Sequence, residues 1–353
     1  MVKNQYSKYA KEIASSKHRT KFQHKLESMP FLPPRIHNVL TPPAIKRIRQ
    51  QDLLHQKEQR QRRGGHPCSG LSKKTNGLSC RHTLQEEMAA RSTAPVLLLS
   101  PGYRSSRLLY NAVASAIDSE GFVVITMDRP EETNIITYLD GHSVYSNALN
   151  PVDLDVVAPY APPRAADASF IIDQLSNTTA MDELCSGEKP SKFSTDRVGI
   201  IGHSLGGAVA VLAAGLDPRI GRVINLDGPF FGSLPPTGLS RPVLYVASEI
   251  DEFPLWRKIW PELRGPTLWM KVANVSHEGM TDFPTMIQAA GPGTGITADL
   301  FGTTAPIECI RISIAYTTEW MNGAFAGKVG GPLLLGHESD RFPEVSTILK
   351  KNF

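Results

Sequence analysis

Residues 198–216 read VGIIGHSLGGAVAVLAAGL, and the order of residue types in this stretch decides the fold. Val198-Gly199-Ile200-Ile201 is a short β-branched run of the kind that forms a buried strand. Ala208–Leu216 is a run of small and aliphatic residues that reads as a helix. Between them Gly202-His203-Ser204-Leu205-Gly206, with Gly207 behind, fits G-x-S-x-G. That pattern makes a strand-to-helix turn so tight that its central residue takes a strained backbone, with glycine at the flanking positions so that strand and helix pass closely. The turn lifts Ser204 to the top of a sheet. The amide of Leu205, at the N-terminus of the following helix, points toward negative charge developing on an attacked carbonyl. The competing reading is a Gly-rich turn with a purely structural role.

Outward from this turn the same alternation repeats. Upstream, Val96–Leu99 and Phe122–Asp128 read as strands, separated by a helical pattern (Leu108, Leu109, Ala112, Val113, Ile117) with Ser105 or Ser106 as its cap and Gly121 at its end. A long loop through Tyr138, His142 and Pro151 leads to a helix over Ala161–Leu175. Downstream come strands Val223–Leu226, Pro242–Ala247 and Leu268–Val272, and helices over Trp256–Leu263 and near Ile310–Met321. Strands alternating with helices of this size imply a doubly wound, mostly parallel α/β sheet with its site at the strand C-terminal ends.

A serine needs a base, and the base an orienting acid. In this kind of sheet they follow in the order Ser, Asp or Glu, His, each just after a strand. Two residues qualify as the acid: Asp227, directly after Val223–Leu226, and Asp251, four residues beyond Ala247. His277, after Leu268–Val272, fits the base. His142 precedes the turn and His337 lies in a Gly/Pro-flanked C-terminal segment, so both fit badly, and His203 is a spacer within the turn. Phe230, Phe231, Trp256 and Trp260 fall near the site loops, either as an apolar acyl or lipid pocket or as ordinary core.

The first part of the chain is different. Of 353 residues, 1–91 carry 19 Lys and Arg against 6 Asp and Glu, a net of +13, whereas the remainder carries 19 against 28, a net of −9. Clustered Lys and Arg, and prolines at 30, 33, 34, 42 and 43, leave little periodicity there, apart from a short helical pattern near Ile45–Gln59. The expected organisation is therefore a basic, largely disordered arm over 1–92 and a catalytic domain over 93–353. A solvated tail is preferred over contact with anionic membranes, and the acidic main domain argues against a nucleic-acid partner. His66, Cys68, Cys80 and His82 form an H-x-C…C-x-H arrangement that matches none of the common zinc spacings. Met1-Val2 is followed by Lys3, Asn4 and Gln5 instead of an apolar signal core, and no run approaches the length of a membrane span. The default expectation is a cytoplasmic location.

Several motifs together resemble the platelet-activating-factor acetylhydrolases, and more closely the plasma-type enzyme with its microbial and fungal esterase relatives. They are Leu99-Ser100-Pro101-Gly102-Tyr103…Ser106-Arg107-Leu108-Leu109-Tyr110, Gly202–Gly207, Leu226-Asp227-Gly228, and Ser276-His277-Glu278-Gly279-Met280-Thr281-Asp282-Phe283. The resemblance covers about residues 94–345. It implies an α/β-hydrolase fold with Ser204 as nucleophile, Asp227 in preference to Asp251 as acid, and His277 as base. The amide of Tyr103 would be the second oxyanion donor beside Leu205. Pro101-Gly102 departs from the usual His-Gly, and the antiparallel strands with which that family opens are not legible in residues 1–92.

The activity implied is hydrolysis of short-acyl esters or platelet-activating-factor-like phospholipids, with no metal or organic cofactor needed. Acyl transfer with the same triad, and a catalytically silent fold used for binding, are the alternatives.

Overall fold

The computed structural model describes residues 92–352 apart from 131, 139–141, 147–153, 185–191, 249–253, 291–300 and 326–329. The basic arm, the His66/Cys68/Cys80/His82 arrangement and Asp251 lie outside the described residues.

Seven strands form the main sheet: β1 (Val96–Ser100), β2 (Val123–Thr126), β5 (Val198–His203), β6 (Ile220–Leu226), β7 (Val243–Ala247), β8 (Thr267–Val272) and β9 (Val345–Lys351). Their order is β2-β1-β5-β6-β7-β8-β9, parallel throughout except for β9. A separate antiparallel hairpin, β3 (Ile135–Thr137) with β4 (Ser143–Tyr145), follows β2. The principal helices are α1 (Asn111–Ser119), α2 (Ala161–Ser176), α3 (Leu205–Leu216), α4 (Phe283–Ala290) and α5 (Pro306–Phe325).

The period-2 alternation of strand side chains divides the core into two layers. Val96, Leu98, Val198, Ile200, Val223 and Val243 face α2 and α3. Leu97, Leu99, Ile201, Ile224, Leu244 and Leu268 face α1 and α5. Every residue of β1, β5 and β7 is buried, which is why these strands read as continuous apolar runs and not as alternating ones.

Parallel register places the functional ends together. Ser100 pairs with Gly202, His203 with Leu226, and Leu226 with Val246. The residues that follow, Pro101–Tyr103, Ser204, Asp227 and Ser248, therefore emerge from one edge of the sheet. The chain winds outward from β1 in both directions, to β2 on one side and β5 on the other, so the β1 and β5 turns flank the topological switch point where such sheets bind ligands.

Three elements differ from expectation. The helix expected over Trp256–Leu263 is a short helix, Pro254–Ile259, followed by a 3-10 turn at Trp260–Glu262, because Pro261 cannot continue it. The β3–β4 hairpin and β9 were not anticipated. Each is partly exposed along its length, and such strands lack the apolar continuity of the central ones. No strand precedes Val96 among the described residues, and β2 closes that side of the sheet.

Candidate active site

Ser204 sits between β5 and α3 with φ 56° and ψ −124°, the strained conformation expected of the turn. It occupies the N-cap position of α3, yet its hydroxyl makes no capping hydrogen bond, so the Oγ is not committed to holding the helix. Close packing makes the turn possible: a Cβ on Gly206 would lie 2.0 Å from the Ser100 carbonyl oxygen and 2.6 Å from that of Pro101. The Ser204 amide donates to the Leu226 carbonyl at 2.9 Å, which fixes the turn against the end of β6.

Asp227 follows immediately, also with positive φ (51°), and its side chain is only 1 % exposed. Its Oδ1 accepts the Ser248 amide at 2.8 Å, and its Oδ2 accepts the Ser248 hydroxyl at 2.8 Å and His277 Nδ1–H at 2.6 Å. Burial alone would raise this carboxyl's pKa. The His277 hydrogen bond and charge, with the two Ser248 donors, outweigh burial and hold it below the ordinary value.

His277 opens a 3-10 turn after β8, with its side chain 31 % exposed. Burial disfavours its imidazolium. The Asp227 hydrogen bond and charge, and the charge of Glu278, prevail and keep its pKa above the ordinary histidine value. With Nδ1 occupied by Asp227, the lone pair of the neutral ring resides on Nε2, the state a proton acceptor requires.

His203, read from sequence as a spacer, holds the site together. Its Nε2–H donates to the His277 carbonyl at 3.0 Å, and its Nδ1 accepts from the Tyr110 hydroxyl at 2.8 Å. Tyr110 in turn accepts the Gly102 amide at 3.0 Å. Burial first, then the neighbouring His277, push the His203 pKa down to about 3, so this ring stays neutral and its tautomer is fixed. The result is a hydrogen-bonded chain from the β1 turn, through the Ser204 turn, to the backbone of His277.

A second tie joins the His277 loop to the rest. Asp282, four residues after Glu278, accepts the amides of Ala112 (2.5 Å) and Val113 (3.3 Å) at the start of α1, while its own amide donates to Leu109 at 2.7 Å. A carboxylate there satisfies donors that a helix N-terminus leaves open. This gives the aspartate of the Ser276–Phe283 box a structural role that the sequence left unassigned.

Of the other residues singled out, His142 lies in the β3–β4 loop region, stacked on Tyr138 at 4.3 Å, and His337 lies in the 332–338 turn. Phe230, Phe231 and Trp256 are core residues; Trp260 packs against the same layer. Trp256 stacks on Tyr245 at 4.2 Å and donates its indole N–H to the Gly228 carbonyl at 2.7 Å, so it supports the residue after Asp227. Sequence reasoning missed Tyr110, Ser248 and Arg164. Tyr110 was visible at the end of a quoted motif, and Ser248 directly follows a recognised strand. Among the described residues no group of three or more His, Cys, Asp or Glu is placed to hold a metal ion. No described helix is long and apolar enough to cross a membrane.

The chain is similar to known proteins. A family model described as "Alpha/beta hydrolase family" matches residues 96–350. A protein of the fungus Arthroderma benhamiae named a probable 1-alkyl-2-acetylglycerophosphocholine esterase is 28 % identical over 269 residues. The match takes in 71 % of this chain and 65 % of that relative's length. Among solved structures, a ferulic acid esterase from Streptomyces cinnamoneus superimposes with a TM-score of 0.64 at 26 % identity, over 73 % of this chain and 74 % of the other.

Proposed function

From the premise that this chain belongs to the alpha/beta hydrolase family, we propose that it is a serine carboxylic ester hydrolase acting through Ser204, His277 and Asp227. The observation that carries the reading is the 2.6 Å bond between buried Asp227 and His277, at the same sheet edge as a strained Ser204 whose hydroxyl is uncommitted. Supporting it are the two esterase relatives, one named for an acetyl ester of a phospholipid and one for an ester of an aromatic acid.

His277 Nε2 takes the Ser204 proton as Oγ attacks the acyl carbon. The amides of Leu205 and Tyr103 receive the oxyanion, where donors fixed in advance gain most because the charge exists only in the transition state. The alcohol leaves with the proton from His277, and water, activated by the same ring, releases the acid. Asp227 keeps the proton on Nδ1 throughout. The substrates proposed are short-acyl esters, platelet-activating-factor-like phospholipids among them. Residues 93–353 are taken as the catalytic unit and 1–92 as an appended basic arm.

The test is labelling with a fluorophosphonate and peptide mapping, with Ser204→Ala as control, followed by a panel of p-nitrophenyl esters graded by acyl length. Label at Ser204, lost in the variant, and turnover that falls with acyl length are expected. Folded protein that takes no label overturns the reading.

A further inference from the structure

Arg164, on α2, is a buried cation that this chemistry does not use. Its guanidinium reaches the turn after β1: Nη1 donates to the Pro101 carbonyl at 2.6 Å and Nη2 to the Gly102 carbonyl at 3.3 Å. Nε donates to Glu132 Oε1 at 2.5 Å. The two side chains are 5 % and 0 % exposed, and the second carboxylate oxygen of Glu132 is buried with no hydrogen-bond partner.

Stability does not account for such a pair. Taking two charges out of water costs about as much as their attraction returns, or more, and well-packed apolar residues serve a core as well or better. An incompletely satisfied carboxylate makes the balance worse. The direction of the guanidinium supplies another reason for its presence. In a trans peptide the C=O and N–H point in opposite directions. Holding the Gly102 oxygen against Arg164, with the Ser105 amide at 3.3 Å on the same oxygen, therefore turns the Tyr103 N–H the other way. On the preceding peptide the Pro101 oxygen is held by Arg164 and the Gly102 N–H by Tyr110. Arg164 thus spans two successive carbonyls that its planar fork can grip together and a lysine cannot.

The grip matters because of glycine. A Cβ at position 102 would lie 3.4 Å from the Ser204 Cβ and 3.2 Å from both His203 Nδ1 and Ser105 Oγ. Glycine there lets the turn press against Ser204, but it is also the residue least able to resist rotation of its own peptide.

We infer that Arg164, anchored by Glu132, is a positioning residue that fixes the Gly102–Tyr103 peptide with its N–H toward the acyl oxygen, so that the oxyanion site is formed before substrate arrives. The inference rests on the hydrolase reading above and extends it to a residue outside the reacting groups.

The test compares Arg164→Lys with Glu132→Gln in the full chain, measuring kcat and KM with p-nitrophenyl acetate, the fluorophosphonate labelling rate and the melting temperature. Losing one oxyanion donor costs about 10²–10³ in kcat. Misdirecting one in part is expected to lower kcat and the labelling rate of Arg164→Lys about tenfold to a hundredfold, with KM little changed and the melting temperature lowered by the buried carbonyl left without its donor. Glu132→Gln retains an acceptor for Nε but removes the charge that anchors the guanidinium, so it is expected to lower the melting temperature to a similar extent and kcat less than Arg164→Lys does. A merely structural role would not separate the two variants in this way. Should Arg164→Lys fail to fold, the uncharged double variant Arg164→Gln/Glu132→Gln carries the same measurement and the same expected loss. A folded Arg164 variant with wild-type kcat and labelling rate overturns the inference while the hydrolase reading stands. Wild-type protein that neither labels at Ser204 nor turns over ester overturns both.

Discussion

Replacing Asp227 by asparagine is the sharpest probe of the candidate site, because the surrounding donors dictate which way the new side chain must face. Oδ1 of Asp227 accepts a backbone N–H, that of Ser248, and a backbone donor cannot be reversed. In the Asp227→Asn variant the side-chain amide oxygen must take that place, which leaves the NH2 at the position of Oδ2. There it meets the Ser248 hydroxyl, which can rotate to accept, and His277 Nδ1, which can accept only by giving up its proton. The imidazole is then driven to carry its proton on Nε2, the nitrogen that receives the Ser204 proton in the proposed mechanism. The geometry survives and the base does not. An aspartate-to-asparagine exchange of this kind lowers kcat about 10⁴-fold, which is about 5.4 kcal/mol of transition-state stabilisation. KM is expected to stay close to wild type, since nothing that touches the substrate has changed. Steady-state hydrolysis of p-nitrophenyl acetate reads the effect, with thermal denaturation confirming that the variant is folded. A folded variant that loses less than about tenfold refutes the tautomer argument and transfers the role of acid to Asp251.

Other consequences are open to direct measurement. Because His277 is held above the ordinary imidazole pKa of 6.5, and only its neutral form accepts a proton, the acid limb of the kcat/KM profile should lie above pH 6.5. Charge-removing Glu278→Gln should move that limb downward; a limb that does not respond contradicts the electrostatic account. Gly206→Ala puts a Cβ 2.0 Å from the Ser100 oxygen. Its cost should be about 3 kcal/mol or more, seen as insoluble protein or as a melting temperature lowered by about 6–12 °C. Tyr110→Phe strands the Gly102 N–H and His203 Nδ1 together. It should cost about 1–3 kcal/mol in chemical denaturation, and an unchanged midpoint would mean that the hydrogen-bonded chain is dispensable.

The central sheet was legible because buried parallel strands are continuous apolar runs, and Val96–Leu99, Val198–Ile201 and Pro242–Ala247 are of strand length. The short strands of the β3–β4 hairpin, and β9 with its terminal lysines, carry too little apolar signal to separate them from loop. The Ser204 turn was legible for a different reason: steric demand at a tight turn leaves glycine as a visible mark. Asp227 and His277 were legible only by position after strands, and composition left Asp227 and Asp251 equal until the resemblance to a family chose between them. Arg164, Tyr110, Ser248 and Asp282 act across the fold, through contacts with residues distant in sequence. No local pattern announces such a partner. For the aromatic residues near the site loops the sequence left pocket and ordinary core both open, and the fold places Trp256 beneath Gly228 as core.

The chain of bonds through His203 also bears on how the protein matures as it is made. Once the ribosome has released β5 and β6, a nascent chain contains the Ser204 turn, Tyr110 and Asp227. His203 Nε2 is still without its acceptor, which lies 74 residues further along. The same stretch of translation supplies His277, the base of the proposed mechanism. The turn that carries Ser204 and, on the proposed mechanism, the competence of that serine are thus separated in time. Stalled nascent chains of increasing length should acquire fluorophosphonate label at Ser204 only after His277 has cleared the exit tunnel; label on shorter chains would show that the serine is activated without it.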